Sequence, residues 1–396
     1  MNGTRHPRGK LSSLLSGLLA VALASAVLSG EPAAPSPLAL FGTVIDGTGR
    51  PPIVDGVVLV DSERVVAVGE RDDVDIPADA RIYEWGEATI LPGFINAHVD
   101  NTTENVELLV QWAQAGVTTV RDLGAPTTVS WWLRNRSPLL AGVVRAGPIV
   151  TVPKGYPIVP NGFRSIAVTN PDDAHRKVEA LIRQGADLVK IALESGEGPT
   201  LTPEERSAVV EVAHAHGLPV SVHATRLPDL QQAVSAGVDD IAHMVQGWIP
   251  DDLLQEMVKK GIAWVPTLAA EGPCRDTLRR FLDAGEVVGV GNDTGYLGFD
   301  EGMPMDELRA LSRAGLTPME ILVAATRDAA RILRRTATIG TLEQGKQADV
   351  LVVRGDPLQD LEVLLDPVFV LHRGVVVRGG GRPTPRGLRG CPVTAA

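Results

Sequence analysis

Six polar residues stand in or beside short apolar runs and could together carry chemistry: His98, Asp100, Lys190, His223, His243 and Asp293. Asp100 follows His98 by two positions, so both side chains point to the same side of an extended chain. Lys190 lies within the apolar run LVKIAL, where an unpaired ammonium group would be costly. Imidazole and carboxylate are good zinc ligands. One such residue alone is more simply a hydrogen-bonded core group, whereas six that meet at one edge of a fold predict an active site.

The other five histidines have simpler interpretations. His6 belongs to the N-terminal segment, His175 to a helix of mixed charge and His372 to the C-terminal strands. His214 and His216 form an HxH pair on a helical segment, where positions i and i+2 do not face each other. We therefore expect these five histidines to be surface or structural residues.

Residues 91–335 contain the elements that would bring the six candidate ligands together. Strand-length apolar runs alternate there with helical segments, and a glycine repeatedly ends a helix before the next strand: Gly116, Gly185, Gly217, Gly237, Gly261 and Gly285. Glycine suits the left-handed position that stops a helix. Eight strand–helix repeats predict an α/β fold with a (β/α)8 TIM-type barrel; a doubly wound open sheet is the alternative. Barrel active sites gather at the carboxyl ends of strands, where the candidate ligands stand.

Strand-like segments flank the barrel on both sides. Residues 27–90 and 336–396 contain β-rich runs such as GVVLVD and ADVLVVRGD, separated by turn residues. We expect both segments to form one small β-sandwich domain, into which the metal-binding barrel of residues 91–335 is inserted.

Residues 1–26 have the layout of a secretory signal peptide. Three basic residues, Arg5, Arg8 and Lys10, precede an apolar run from 14 to 23, and Ala-Ser-Ala follows at 24–26. The apolar run is too short to span a bilayer comfortably, although an uncleaved anchor is the alternative. The sequence thus predicts a secreted or periplasmic protein with no stable membrane association after cleavage.

Charge and composition restrict the partners. The chain has 37 Lys+Arg against 48 Asp+Glu, a net charge of −11 and only 4% aromatic residues. This balance disfavours phosphate contacts and base stacking, so we expect no nucleic-acid partner. Two cysteines, Cys274 and Cys391, are too few for a disulfide framework, and whether they pair is open. The expected partner is a small-molecule or short-peptide substrate, and a homo-oligomer is compatible with the sequence.

Four ordered segments resemble motifs of one known family. LPGFINAHVD resembles its first-strand motif, and DLVKIALESG resembles the strand that carries a carboxylated lysine. VSVHATRLPDLQQAVSAGVDDIAH has two later histidines at the family spacing, and TPMEILVAATRDAARIL followed by IGTLEQGKQADVLVV resembles the C-terminal signature. Over nearly its whole mature length, the chain is therefore similar to metal-dependent amidohydrolases, in the branch of imidazolonepropionase-like proteins and Xaa-Pro dipeptidases.

The resemblance implies a site for two divalent ions, which we expect to be zinc. His98, Asp100 and Asp293 would hold the first ion, and Asp293 would also transfer protons during catalysis. His223 and His243 would hold the second ion. The family pattern implies that Lys190, carbamylated by CO₂, bridges the two ions.

Three departures from the family pattern concern this site. The usual HxH of the first strand is here His98-Val-Asp100, an HxD that also occurs in membrane dipeptidases. Ala-Thr-Arg follows His223 where relatives often have a second histidine, so that Arg226 could bind a substrate carboxylate; a solvated loop arginine is the alternative. Lys154 and Tyr156 stand where relatives often have Gly-Gly-His, and could line the substrate pocket.

The sequence therefore predicts an amidohydrolase that cleaves an amide or peptide C–N bond with a metal-bridging hydroxide. Dipeptides, N-acyl amino acids and cyclic amides are the substrate classes considered. The alternatives are a mononuclear deaminase, although the HxxE pair usual in such enzymes is absent, and a non-catalytic binding protein built on a decayed site.

Overall fold

The computed structural model describes residues 36–101, 105–126, 137–157, 165–271, 275–295 and 302–379. The chain divides into an N-terminal unit, Met1–Ser36, and a second unit, Pro37–Ala396, which holds every element below. The predicted signal peptide and both cysteines lie outside the described residues. No helix in the described ranges is long and apolar enough to cross a membrane.

Strands from both ends of the described chain form one seven-stranded sheet: β1 (Leu38–Val44), β2 (Ile53–Asp61), β3 (Arg64–Glu70), β4 (Arg81–Pro92), β14 (Val350–Arg354), β15 (Pro367–His372) and β16 (Val375–Arg378). Their order in the sheet is β16-β15-β14-β4-β1-β2-β3. The two ends meet where β14 pairs antiparallel with β4, with Val352 opposite Ile90. Both residues are fully buried. The described strands from the two ends of the chain thus lie in a single sheet. The residue bounds predicted for the β-sandwich domain and for the barrel domain stay predictions.

The other described strands are β5 (Phe94–Val99), β6 (Val117–Asp122), β7 (Gly142–Arg145), β8 (Ile149–Thr151), β9 (Ser165–Ala167), β10 (Val189–Ala192), β11 (Val220–His223), β12 (Asp240–Ala242) and β13 (Ala263–Val265). They form two parallel sheets, ordered β5-β6-β7 and β13-β12-β11-β10-β8-β9. The sheets are interrupted between β7 and β8, where Gly147 has φ +79° and Pro148 has no amide hydrogen to donate. The parallel pairing is typical of strands joined by helical crossovers.

Helices follow most of these strands, as the sequence predicts. They are α1 (Val106–Gln114), α2 (Pro171–Arg183), α3 (Pro203–Ala215), α4 (Leu227–Ala236), α5 (Asp251–Lys260), α6 (Leu268–Glu271), α7 (Arg275–Asp283), α8 (Met305–Arg313), α9 (Pro318–Val323) and α10 (Ala329–Ile332), with a π-helical turn at Ala324–Asp328 and a 3-10 helix at Leu361–Leu365. The six glycines predicted to end helices all have positive φ, from +66° at Gly261 to +91° at Gly185. The left-handed helix stops are therefore confirmed.

The eighth strand, predicted within EVVGVGND, is not a regular strand. Only isolated parallel bridges occur there, from Val288 to Trp264 and from Thr294 to Val99. A Cβ at position 291 would lie 2.6 Å from the His98 Cβ, so glycine is needed for this segment to approach β5. Through these bridges the segment connects β13 to β5. The described strands do not form one continuous closed sheet, so closure of an eight-stranded barrel stays a prediction.

Candidate metal centre

The carboxyl ends of the parallel strands bring the histidine candidates together. His98 lies in β5, His223 ends β11 and His243 directly follows β12, and all three are buried. The ring centroids of His98 and His243 are 4.7 Å apart, and those of His223 and His243 are 4.4 Å apart. The three imidazoles therefore surround one small volume.

Two carboxylates complete one side of this cluster. His98, Asp100 and Asp293 each offer a ligand atom, and these atoms lie within 4.8 Å of one another. The His98 Nε2 is 3.3 Å from the Asp293 Oδ1. An imidazole and two carboxylates at this spacing match the donor types that divalent zinc accepts.

Two of the candidate ligands have a strained backbone. His243 has φ +73° and Asp293 has φ +57°, a left-handed conformation that costs a non-glycine residue about 1–3 kcal/mol. Backbone hydrogen bonds stabilise this conformation. The His243 N–H donates to the Val265 carbonyl at 2.9 Å, and the Asp293 N–H donates to the His98 carbonyl at 3.0 Å. The chain thus accepts strain at the positions whose side chains form the cluster.

Burial keeps the three imidazoles neutral. It lowers the pKa of His98, His223 and His243, and Lys190 lowers each of them further, although Glu194 opposes the shift at His223. Neutral imidazole is the form that binds metal ions. The electrostatic environment therefore prepares all three rings as ligands near neutral pH.

Lys190 is buried in β10 beside the cluster. Burial lowers the pKa of its ammonium group to about 8, although the carboxylates of Asp100 and Asp240 oppose the shift. Within the described part of the chain the Lys190 Nζ has no hydrogen-bond partner. A buried amine that readily loses its proton can react with CO₂ to give a carbamate, so this side chain fits the bridging role that the family resemblance implies.

A buried ion pair lies below the cluster. The Arg121 guanidinium donates to the Asp240 carboxylate at 2.8 and 3.0 Å, and its Nε–H donates to the Ala97 carbonyl at 2.6 Å. The Ser221 hydroxyl donates to Asp240 at 2.7 Å. These bonds tie β5, β6, β11 and β12 together beneath the ligands, and the sequence analysis did not identify this network.

One partner contacts the ring of His243 and another holds its backbone. The ring Nδ1 lies 3.0 Å from the Thr267 hydroxyl, and the backbone carbonyl accepts the Trp264 indole N–H at 2.7 Å. A side chain held at one ring nitrogen presents the other to a metal ion, so His243 offers Nε2. Both partners lie in or beside β13 and carry no motif that would have revealed them in the sequence.

Glu194 is a further residue that the sequence analysis missed. It is only 5% exposed, and its Oε2 lies 3.4 Å from the His223 Nε2. Burial raises the pKa of this carboxyl, but the nearby His223 ring and the hydrogen bonds from Thr225 and Arg226 lower it to about 2. Its place two residues beyond β10, at the same strand-end level as the ligands, was the available signal.

The three residues predicted to bind substrate have different surroundings. The half-buried ring of Tyr156 lies 4.5 Å from the His223 ring, centroid to centroid. The Arg226 side chain is 56% exposed, and its Nε–H donates to the Glu194 Oε1 at 2.9 Å. Lys154 is exposed, and the described contacts do not bring its side chain to the three histidines.

Three further histidines, His214, His216 and His372, have partners outside the cluster. His214 and His216 are exposed and pair with different carboxylates, Asp239 and Glu179, each at 2.8 Å. The buried His372 donates from Nδ1 to the Pro138 carbonyl at 2.9 Å. These contacts agree with surface or structural roles.

Parallel strands that present neutral imidazoles and carboxylates at their carboxyl ends define a metal-binding α/β protein. The chain belongs to the amidohydrolase family, whose sequence model matches residues 89–380. The family predicted from the four sequence segments is thereby confirmed, as is the expectation of an enzyme that hydrolyses carbon–nitrogen bonds. The family also supports the combination of a TIM barrel with a β-sandwich domain.

Similar proteins extend over most of the chain. An uncharacterised protein of Mycobacterium tuberculosis is 30% identical over 326 residues, which cover 72% of this chain and 84% of the relative. The solved structure of a Xaa-Pro dipeptidase with bound methionine has a TM-score of 0.77 at 23% identity, covering 87% of this chain and 100% of that chain. A prolidase complexed with N-methylphosphonate-L-proline has a TM-score of 0.72 at 25% identity, with the same coverage.

Proposed function

We propose that the chain is an exported hydrolase that uses two divalent metal ions, expected to be zinc, to cleave an amide or peptide C–N bond. The observation that carries the proposal is the buried cluster of neutral imidazoles, carboxylates and one amine at the carboxyl ends of parallel strands. Export rests on the signal-like residues 1–26 alone.

The ligand set divides into two halves. His98, Asp100 and Asp293 would hold one ion, which agrees with the 4.8 Å grouping of their ligand atoms. His223 and His243 would hold the other ion, which agrees with their adjacent rings. Lys190, as a carbamate, would help to hold both ions.

The chemistry requires proton transfer as well as an activated water. The bound ions would lower the pKa of water and polarise the substrate carbonyl. Asp293 accepts the proton of the attacking water and delivers it to the departing nitrogen, so that one water is added across the C–N bond. Its fixed backbone and its position 3.3 Å from the His98 ring hold the carboxylate inside the cluster for both transfers.

Substrates with a carboxylate next to the scissile bond fit the residues around the cluster best. Arg226 commits its Nε to Glu194 and is otherwise more than half exposed, so that its terminal nitrogens can bind a carboxylate. Tyr156 would cover the substrate next to His223. Dipeptides and N-acyl amino acids carry this carboxylate, and the similarity to a prolidase supports them; Lys154 is the weakest of the three proposed contacts.

Metal content and product analysis together test this function. Mature protein purified without chelator should contain two divalent ions per chain and hydrolyse members of a panel of dipeptides, N-acyl amino acids and cyclic amides. One ion per chain with ammonia release would instead indicate the mononuclear deaminase. Protein without metal or turnover, even after metal loading, would indicate the non-catalytic binding protein.

A further inference from the structure

The turn that follows β5 and carries Asp100 is held by a buried carboxylate of the neighbouring strand. Asp122 is the last residue of β6 and is fully buried. Its Oδ1 accepts the Asn101 N–H at 3.2 Å and the Gly124 N–H at 3.1 Å. Asn101 has φ +54°, a left-handed conformation that is uncommon outside glycine, so the chain bends sharply directly after Asp100. The Asp122 carboxylate thus stabilises this bend from the side of β6.

The backbone on either side of Asp100 is fixed by both neighbouring segments. Towards β6, the Leu123 N–H donates to the Val99 carbonyl at 2.9 Å. On the other side, the Asp100 N–H donates to the Thr294 carbonyl at 2.8 Å. An added Cβ at Gly295 would lie 1.8 Å from the Asp100 carbonyl oxygen, so this segment packs directly against the turn. The turn therefore has little freedom as long as its hydrogen bonds are made.

The side chain of Asp100 occupies a space that Gly124 leaves open. An added Cβ at Gly124 would lie 2.8 Å from the Asp100 Oδ1 and 3.2 Å from its Cγ. The φ angle of Gly124 is not positive, so an alanine there would meet the Asp100 carboxylate without the strain of a left-handed backbone. The Asp-Leu-Gly sequence at 122–124 thus supplies both a carboxylate that holds the turn and a gap that admits the Asp100 side chain.

We propose that Asp122 is a positioning residue that holds the Asp100 carboxylate in line with His98 and Asp293, whose ligand atoms lie within 4.8 Å of that carboxylate. Gly124 provides the space for it. The inference rests on the proposed function, because Asp100 is there a ligand of the first ion. Asp122 contributes hydrogen-bond acceptance, so an asparagine at this position, whose amide oxygen also accepts, should largely replace it.

Amide hydrogen exchange on metal-free protein tests the turn itself. Asp122→Ala should speed exchange at the Asn101 and Gly124 amides by about fivefold or more, because both lose their acceptor. Asp122→Asn should leave both rates close to those of the wild type. Asp187→Ala is the matched control, because Asp187 accepts the Arg145 N–H at 3.1 Å and does not contact the turn. Unchanged exchange at both amides in Asp122→Ala would overturn the proposal.

A double-mutant cycle on zinc affinity tests whether Asp122 acts through Asp100. Asp122→Ala should weaken one of two zinc ions by about 10–100-fold and leave the other nearly unchanged, and Asp122→Asn should recover most of the loss. In the Asp100→Ala background, Asp122→Ala should cause no further loss, because the side chain that it positions is gone. Gly124→Ala displaces the same carboxylate but keeps both hydrogen bonds of the turn. It should show the same pattern, and it serves if Asp122→Ala does not fold.

The outcomes separate the two proposals. Wild-type protein that binds fewer than two zinc ions contradicts the proposed binuclear function, and the exchange rates then decide whether Asp122 holds the turn. Suppose instead that the wild type binds two ions and that Asp100→Ala weakens one of them. Zinc affinities that are unchanged in Asp122→Ala and Gly124→Ala, or losses that are equal with and without Asp100, would then contradict the positioning role alone.

Discussion

Lys190 sits in β10 with its Nζ buried and with a pKa of about 8, low for an ammonium group because of desolvation. This side chain can bridge two ions only after it has lost its proton and gained a carboxylate group. Arginine cannot follow this route, because its guanidinium stays protonated. The difference between the two basic side chains thus provides a direct test of the bridging role.

Lys190→Arg and Lys190→Ala should both lose bound metal, and kcat/KM should fall by more than about 100-fold. Short carboxylic acids such as acetate or propionate should partly restore activity to Lys190→Ala, because they can occupy the space of the carbamate. Lys190→Arg gives no such rescue. Normal turnover in Lys190→Arg would assign the residue a structural role.

Asp100 affects the charge of the proposed centre. Two divalent ions carry four positive charges, so replacing this carboxylate by neutral histidine in Asp100→His adds one net positive charge. The attacking water should then ionise at lower pH, and the acidic limb of the rate–pH profile should move to lower pH. Affinity for the ion near His98 should fall.

Asp100→Ala is the control for this residue. It should reduce metal content as measured by elemental analysis. Unchanged metal content and rate in Asp100→Ala would remove Asp100 from the ligand set, whatever the behaviour of the histidine variant.

Residue types in the sequence predicted the buried histidines of the cluster better than they predicted the residues that contact those histidines. His98, His223 and His243 stand out in the sequence because an imidazole at the end of an apolar strand is uncommon in a plain core. Glu194 and Thr267 do not stand out, since glutamate and threonine are ordinary in loops. Their role depends on the distance to a histidine on a neighbouring strand, which the sequence does not encode locally.

At the scale of elements, Glu307 connects α8 to the segment after β13. It is fully buried, and its Oε2 accepts the Ala269 N–H at 2.7 Å, next to the Thr267 that orients His243. Burial raises the pKa of the Glu307 carboxyl to about 7. The Glu307 carboxyl therefore binds its proton more tightly in the folded chain than in the unfolded chain. Its contribution to the free energy of unfolding is fully present below the pKa of the unfolded chain, and it is lost as the pH rises through about 7.

Glu307→Gln removes this titration while keeping an oxygen for the Ala269 N–H. Because of this group, we expect the free energy of unfolding of the wild type to fall by up to about 3 kcal/mol between pH 4.5 and 8. The fall should be smaller in the variant. Urea unfolding at both pH values measures the difference. The same pH dependence in both proteins would show that Glu307 titrates normally.

The glycines that end helices could be predicted from the sequence, whereas the irregular shape of the eighth strand could not. A left-handed stop depends on one residue, so Gly185 or Gly261 reveals it from the sequence alone. The segment around Gly291 is irregular because it passes within contact distance of His98 in β5, a long-range packing requirement. Apolar runs predict strands, but they do not show where a neighbouring strand forces the chain out of regular pairing.

At the scale of the whole molecule, residues 1–26 should direct export. They hold three basic and no acidic residues, so cleavage after Ala26 leaves 34 Lys+Arg against 48 Asp+Glu, a net charge of −14. Expression of the full chain in a bacterial host should give mature protein outside the cytoplasm. N-terminal sequencing of the exported protein should begin at residue 27. A chain lacking residues 1–26 is the control and should stay in the cytoplasm. Full-length protein with an intact N-terminus would support the uncleaved anchor.

We expect two metal ions to act together in the buried cluster. Metal-free wild-type protein can be titrated with zinc while hydrolysis of the best substrate from the panel is followed. Full activity should return only as the second equivalent of zinc binds. Full activity at one equivalent, or activity that survives complete metal removal, would show that two ions are not required.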